Sequence, residues 1–107
     1  MSKIVIIGAG AMGSAFSFPC IDNNHDTNII GTHLENEFVD KLKSNKNLHP
    51  SLNVHIPKAI KIFKFDKFKE LFESNVDLIV LGISSKGIEW VSEQINTIAK
   101  EKKLPNI

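Results

Sequence analysis

Short continuous apolar runs alternate along the chain with longer segments whose apolar residues recur at helical spacing. Lys3 to Ile7 ("KIVII") is an unbroken β-branched run stopped by Gly8, the pattern of a strand covered on both faces. A helix is predicted from Ala11 to about Asn23, carrying Ala15, Phe16 and Cys20 toward one side, with a kink at Pro19 because proline removes a donor and clashes one turn back. Thr27 to Gly31 is the second strand. In "THLENEFVDKLKSN", Thr32 and Glu35 fit a capping box and Leu34, Phe38, Val39 and Leu42 recur at helical spacing, so the next helix starts at Thr32.

The stretch Lys46 to Pro57 has two prolines and no sustained period, and reads as a loop. Ala59 to Phe65 then alternates as a half-buried strand does. Asp66 caps a helix of about two turns whose apolar positions are Phe68, Leu71 and Phe72. Asp77 to Ile83 is a second strongly buried strand, followed by a helix with Ile88, Val91, Ile95 and Ile98 on one face. Strands alternating with helices imply parallel pairing and right-handed crossovers. The expected architecture is an α/β, Rossmann-like doubly wound parallel sheet of strand order 3-2-1-4. After Lys103 the chain gives "LPNI", whose final "NI" reads as the start of a fifth strand; the sheet edge left uncovered then points to a homo-oligomer.

Chemistry enters at "GAGAMG". A GxGxxG pattern alone is weak, but this one follows a buried strand and opens a helix inside a strand-helix-strand unit of about thirty residues. Gly8 turns the chain off the strand, Gly10 lets a pyrophosphate approach the backbone, and Gly13 lets the helix pack close to the sheet. Donors at the helix start, near Ala11, Met12 and Gly13, face the phosphates with the positive end of the helix dipole. Residues 1–107 therefore form one dinucleotide-binding domain.

NAD-specific folds usually present Asp or Glu at the tip of the second strand, where this chain has Gly31, Thr32 and His33. Glu35 is the nearest carboxylate, and the capping box gives it a structural task. Thr32 and His33 suit a 2'-phosphate, so NADP is expected to be accepted, alongside or instead of NAD. Ser84 and Ser85 follow the fourth main strand, where ligands bind in open α/β sheets, and can reach the nicotinamide side of the cofactor; Ser85 is equally a cap for the last helix. Lys86 reads as a solvated lysine rather than a catalytic amine.

Composition removes other classes. Thirteen basic residues nearly balance twelve acidic ones, which gives no electrostatic footprint for nucleic acid or for a membrane surface. No apolar run approaches bilayer length, and a single cysteine, Cys20, excludes an internal disulfide and fits the cytoplasm. Cys20 reads as a small core residue, and Trp90 and the seven phenylalanines as packing. His25, His33, His49 and His55 lack the spacing of a metal site and read as surface or loop residues, so no metal is expected.

Taken in order, "IVIIGAGAMGSAFSFP", "GTHLENE", "LHPSLNVHIPKAIKI" and "VDLIVLGISSKGIEWVSEQI" resemble the N-terminal domain of the NAD(P)-dependent glycerol-3-phosphate dehydrogenases over nearly the whole chain. The resemblance implies hydride transfer between a nicotinamide cofactor and sn-glycerol 3-phosphate or dihydroxyacetone phosphate, a supply of phospholipid precursor. It implies pyrophosphate at Gly8 to Gly13, the adenosine ribose near Thr32 and His33, and the nicotinamide side at Ser84 and Ser85. In that family a Lys-Gly segment after the fifth strand and an all-helical C-terminal domain with a catalytic lysine supply the chemistry. Lys86-Gly87 follows the fourth main strand and is not that segment, so no catalytic residue is assigned and the 107 residues are expected to be inactive alone. A stand-alone dinucleotide-binding or sensing module, or the cofactor domain of a ketopantoate-reductase-like or pyrroline-carboxylate-reductase-like oxidoreductase, remain alternative readings.

Overall fold

An unbroken apolar strand is stable only where both of its faces are covered, and Lys3–Ile7 is buried from Ile4 onward. The computed structural model describes residues 2–50, 52–83 and 87–99. In chain order the elements are β1 (Lys3–Ile7), α1 (Ala11–Asp22), β2 (Asp26–Ile30), α2 (Asn36–Ser44), β3 (Leu48–His49), β4 (Val54–His55), β5 (Lys61–Phe63), a 3-10 turn (Phe65–Lys67), α3 (Phe68–Leu71), β6 (Leu78–Leu81) and α4 (Ile88–Ala99). Four strands form the main sheet in the order β5-β2-β1-β6, all parallel, which is the predicted 3-2-1-4 arrangement once the β3-β4 hairpin is set aside.

Alternation along the strands divides the core. Ile4, Ile6 and Ile29 face α1 and α2, meeting Cys20, Val39 and Leu42 together with Ile56, Ile60 and Ile62. Val5, Ile7, Ile30 and Ile79 face the other way, toward Phe68, Leu71 and Phe72 and toward Val91 and Ile98 of α4. Burying each such side chain contributes about 1.5–3 kcal/mol relative to leaving it in water. A one-residue slip of β1 would exchange the two sets, so the register with β2, Ile4 opposite Thr27 through Ile7 opposite Ile30, is tightly specified.

Several local expectations are corrected. The buried face of α1 is made of Gly13, Ser14, Ser17 and Cys20, whereas Ala15 and Phe16 point outward. A stripe of small residues lets this helix lie close to the sheet, so bulk is excluded from that side. The helix continues through Pro19 to Asp22; Ala15 and Pro19 are both exposed, so water can serve the carbonyl that proline cannot. The second strand begins one residue early, at Asp26, and α2 begins at Asn36 rather than Thr32. The Lys46 to Pro57 stretch, expected as a loop, contains the antiparallel β3-β4 pairing, reached through left-handed backbone at Lys46, Asn47 and Asn53. The helix after Asp66 is shorter than two turns, yet Phe68, Leu71 and Phe72 are buried as expected. The final "LPNI" lies outside the described residues.

The top of the sheet is closed by three glycines from different elements. Gly8 adopts φ +118°, a conformation that side chains rarely tolerate, and an added Cβ would collide with the Gly82 carbonyl. A Cβ on Gly82 would fall 2.7 Å from Gly13 Cα, so the end of β6 and the first turn of α1 touch backbone to backbone. Gly82→Ala is expected to cost about 1–3 kcal/mol of folding stability through overpacking, measured by urea unfolding; an unchanged midpoint would show that the two backbones can part freely.

Cys20 is 7% exposed, as expected of a core thiol, and burial pushes its pKa up from the ordinary 9.0. Because the unfolded chain releases this proton first as pH rises, the site's contribution to stability is full below pH 9.0 and drains away above it. A thiol-specific reagent at neutral pH should label the folded chain far more slowly than the chain in urea, and equal rates would contradict the burial.

Candidate functional site

The turn between β1 and α1 stands at the carboxyl end of the sheet beside its first crossover, the place where open α/β sheets bind ligands. Gly10 is the residue before α1, in extended backbone at φ −69° and ψ −178°, and no side chain caps this helix. A Cβ built on Gly10 meets nothing within 4 Å. The turn therefore presents open space on its outer side and uncapped helix donors from Ala11 and Met12, both exposed, while Gly13 is buried against the Gly8 carbonyl. No acidic side chain occupies the first turn of α1, so the positive end of the helix is not neutralised locally.

Three side chains grip the turn from behind. The Ala9 N–H donates to Glu35 Oε1 at 3.1 Å, and the same oxygen accepts the Thr32 N–H at 2.8 Å. Half of the expected capping box is thus present, since Glu35 reaches back to Thr32, but its carboxylate also bonds a residue of the glycine turn. The Ala9 carbonyl accepts the Ser14 hydroxyl at 3.1 Å and contacts His49 Nε2 at 3.0 Å. His49 is 1% exposed, which corrects its reading as a surface or loop residue. Its ring is held in β3, with Phe38 packed edge-on at 5.4 Å.

At the tip of β2, Thr32 is half-buried and His33 is exposed. The His33 ring stacks at 4.3 Å on Trp90 of α4 and lies 6.4 Å from Phe65, which itself is 4.9 Å from Trp90. Trp90 and Phe65 are half-buried and pack against the core at this edge, as expected, whereas Phe16, at 45% exposure, is not core. Sequence reading had no reason to associate Trp90 with His33, because the contact spans two crossovers. Ser84, Ser85 and Lys86 lie outside the described residues. The structure therefore brings Gly8, Gly10, Ala11, Met12 and Gly13 into one turn, with Thr32 and His33 across from it at the next strand tip.

Among the described residues no cluster of three or more His, Cys, Asp or Glu side chains could hold a metal ion. No described helix is long and apolar enough to cross a membrane. Comparison with known proteins gives the chain a family. Over 99 residues it is 32% identical to an NADP(+)-dependent glycerol-3-phosphate dehydrogenase of Archaeoglobus fulgidus, a match that covers 92% of this chain and 29% of the relative. Glycerol-3-phosphate dehydrogenases named for NAD(P)+ from Bacillus pumilus and Fusobacterium nucleatum are each 31% identical, over 95% and 97% of this chain and 28% and 30% of their own lengths. The chain thus spans less than a third of these curated relatives. The family model for the NAD-dependent glycerol-3-phosphate dehydrogenase N-terminus matches residues 3–105, and the chain belongs to that family.

Proposed function

We propose that residues 1–107 are the dinucleotide-binding domain of an sn-glycerol-3-phosphate dehydrogenase. The reading is carried by the open face of Gly10 beside the uncapped donors of Ala11 and Met12, on a turn that Gly8, Gly13 and Gly82 hold against the sheet. A pyrophosphate fits such a place because backbone N–H groups and the helix dipole both favour negative charge there. Gly8 and Gly13 shape the turn, and Ala11 and Met12 donate to the phosphate oxygens. When bound, the nicotinamide cofactor supplies hydride chemistry; this chain binds and orients it.

Thr32 and His33 stand where the adenosine ribose would lie, and the strand tip carries no carboxylate of its own. Glu35, the nearest acid, has Oε1 occupied by two backbone N–H groups. A 2'-phosphate is therefore tolerated, in line with the name of the Archaeoglobus relative. Ser84 and Ser85 are assigned to the nicotinamide side from their place in the sequence. Glycerol 3-phosphate or dihydroxyacetone phosphate is the substrate of the dehydrogenase activity in which this domain would serve. Groups that hold it against the nicotinamide are required for that activity, and none is assigned here.

Calorimetric titration of the chain should give saturable binding of NADPH and NADH, with NADPH at least as tight, and no turnover of dihydroxyacetone phosphate. Tighter binding of NADH would remove the 2'-phosphate assignment; absence of binding by folded chain would remove the function. Gly10→Ala separates fold from site. Its stability should stay within about 1 kcal/mol of the parent, while NADPH affinity falls about tenfold or more, read in the same titration. Undiminished affinity would mean that no ligand approaches Gly10.

A further inference from the structure

The geometry points to Glu35 and His49 as positioning residues of the phosphate-binding turn, an inference that rests on the dinucleotide reading above. Ala9 sits between Gly8 and Gly10, and both of its peptide polar groups are engaged by side chains from other parts of the chain. Glu35, just before α2, takes the Ala9 N–H at 3.1 Å, and His49, from the β3-β4 hairpin, meets the Ala9 carbonyl at 3.0 Å. Ser14 completes the set from within α1.

The proton on His49 can be placed. Leu52 N–H, which can only donate, approaches His49 Nδ1 at 3.4 Å, so Nδ1 is the accepting nitrogen and Nε2 carries the hydrogen that the Ala9 carbonyl accepts. Through Nε2 the ring thus donates into the turn. Glu35 brings the opposite polarity, with one carboxylate oxygen joining the turn to the tip of β2. Donor on one side and acceptor on the other fix the orientation of both peptide planes around Ala9.

The consequence reaches the ligand through the next two residues. A Cβ on Gly10 would meet nothing within 4 Å, so no side chain on that side of the turn holds it in place, and the bonds to Ala9 are what fix its approach to the helix. With Ala9 held, the N–H groups of Ala11 and Met12 already face outward, and less ordering is lost when a pyrophosphate binds. Neither Glu35 nor His49 needs to touch the cofactor for this effect.

Paired variants test the proposal. Glu35→Met and His49→Leu keep bulk and remove the hydrogen bond to Ala9; Glu35→Gln and His49→Gln keep an acceptor and a donor at matching reach. Each bond-deleting variant should bind NADPH about tenfold more weakly than the parent, and each glutamine variant should recover to within about threefold. For His49→Leu, binding of adenosine 2'-phosphate, which has no pyrophosphate, should be unchanged, whereas a merely structural role would lower both. Amide hydrogen exchange supplies a readout that needs no ligand and no variant. In the parent, the Ala9 amide should be protected and the His49 ring should show the Nε2–H tautomer by nitrogen-15 NMR. A freely exchanging Ala9 amide, an Nδ1–H ring, or parent-like NADPH affinity in folded Glu35→Met and His49→Leu would overturn the proposal. Failure of the parent to bind NADPH would overturn the dinucleotide reading instead, with the exchange result still deciding whether Ala9 is clamped.

Discussion

Backbone contact without side chains governs this molecule. Where Gly82 at the end of β6 meets Gly13 in the first turn of α1, and both meet the turn at Gly8, no atom beyond the main chain can be accommodated. The contact sets how deeply α1 settles on the sheet, and hence why its inner face is Gly13, Ser14, Ser17 and Cys20 rather than larger residues. The same contact places the helix start directly above the carboxyl ends of β1 and β6. Close packing and an outward-facing helix terminus are two results of a single steric requirement.

The main architecture was legible because its signals are local and strong. "KIVII" before Gly8 and "LIVL" before Gly82 read as strands, though Ile79 alone of the second is fully buried, and the helical spacing of Val39 and Leu42 between them, and of Val91 and Ile98 after them, gives the helices their inner faces. Strand order then follows from the handedness of crossovers. What failed was short-range inference wherever distant contacts decide. Phe16 is apolar and sits mid-helix, yet it points outward because the inner side has room for small side chains alone. The β3-β4 hairpin has two residues on each strand and three left-handed positions nearby, too little for a period to register.

The site divides in the same way. The glycine turn announces itself, since each of its glycines has a stereochemical reason that spacing alone makes visible. The residues behind it do not, because nothing in "LHPS" shows that His49 will be swallowed and turned toward Ala9, forty positions earlier. Glu35 is an intermediate case: its backward reach to Thr32 follows a known local pattern, and its second bond, to Ala9, needs the two crossovers to be in place. The contacts behind the glycine turn are thus written in tertiary structure, while the turn itself is written in sequence.

At the opposite end of the sheet, Lys3 ties the molecule together differently. Its ammonium donates to the Leu71 carbonyl and to Ser74 Oγ, both at 2.6 Å, and its backbone N–H donates to Asp77 Oδ2 at 2.7 Å. The amino end of the chain is therefore anchored a full strand length, roughly 17 Å, from the glycine turn. Attached to a solid support, a dye or a carrier protein through that end, the domain would keep its glycine turn facing away from the attachment and open to solution.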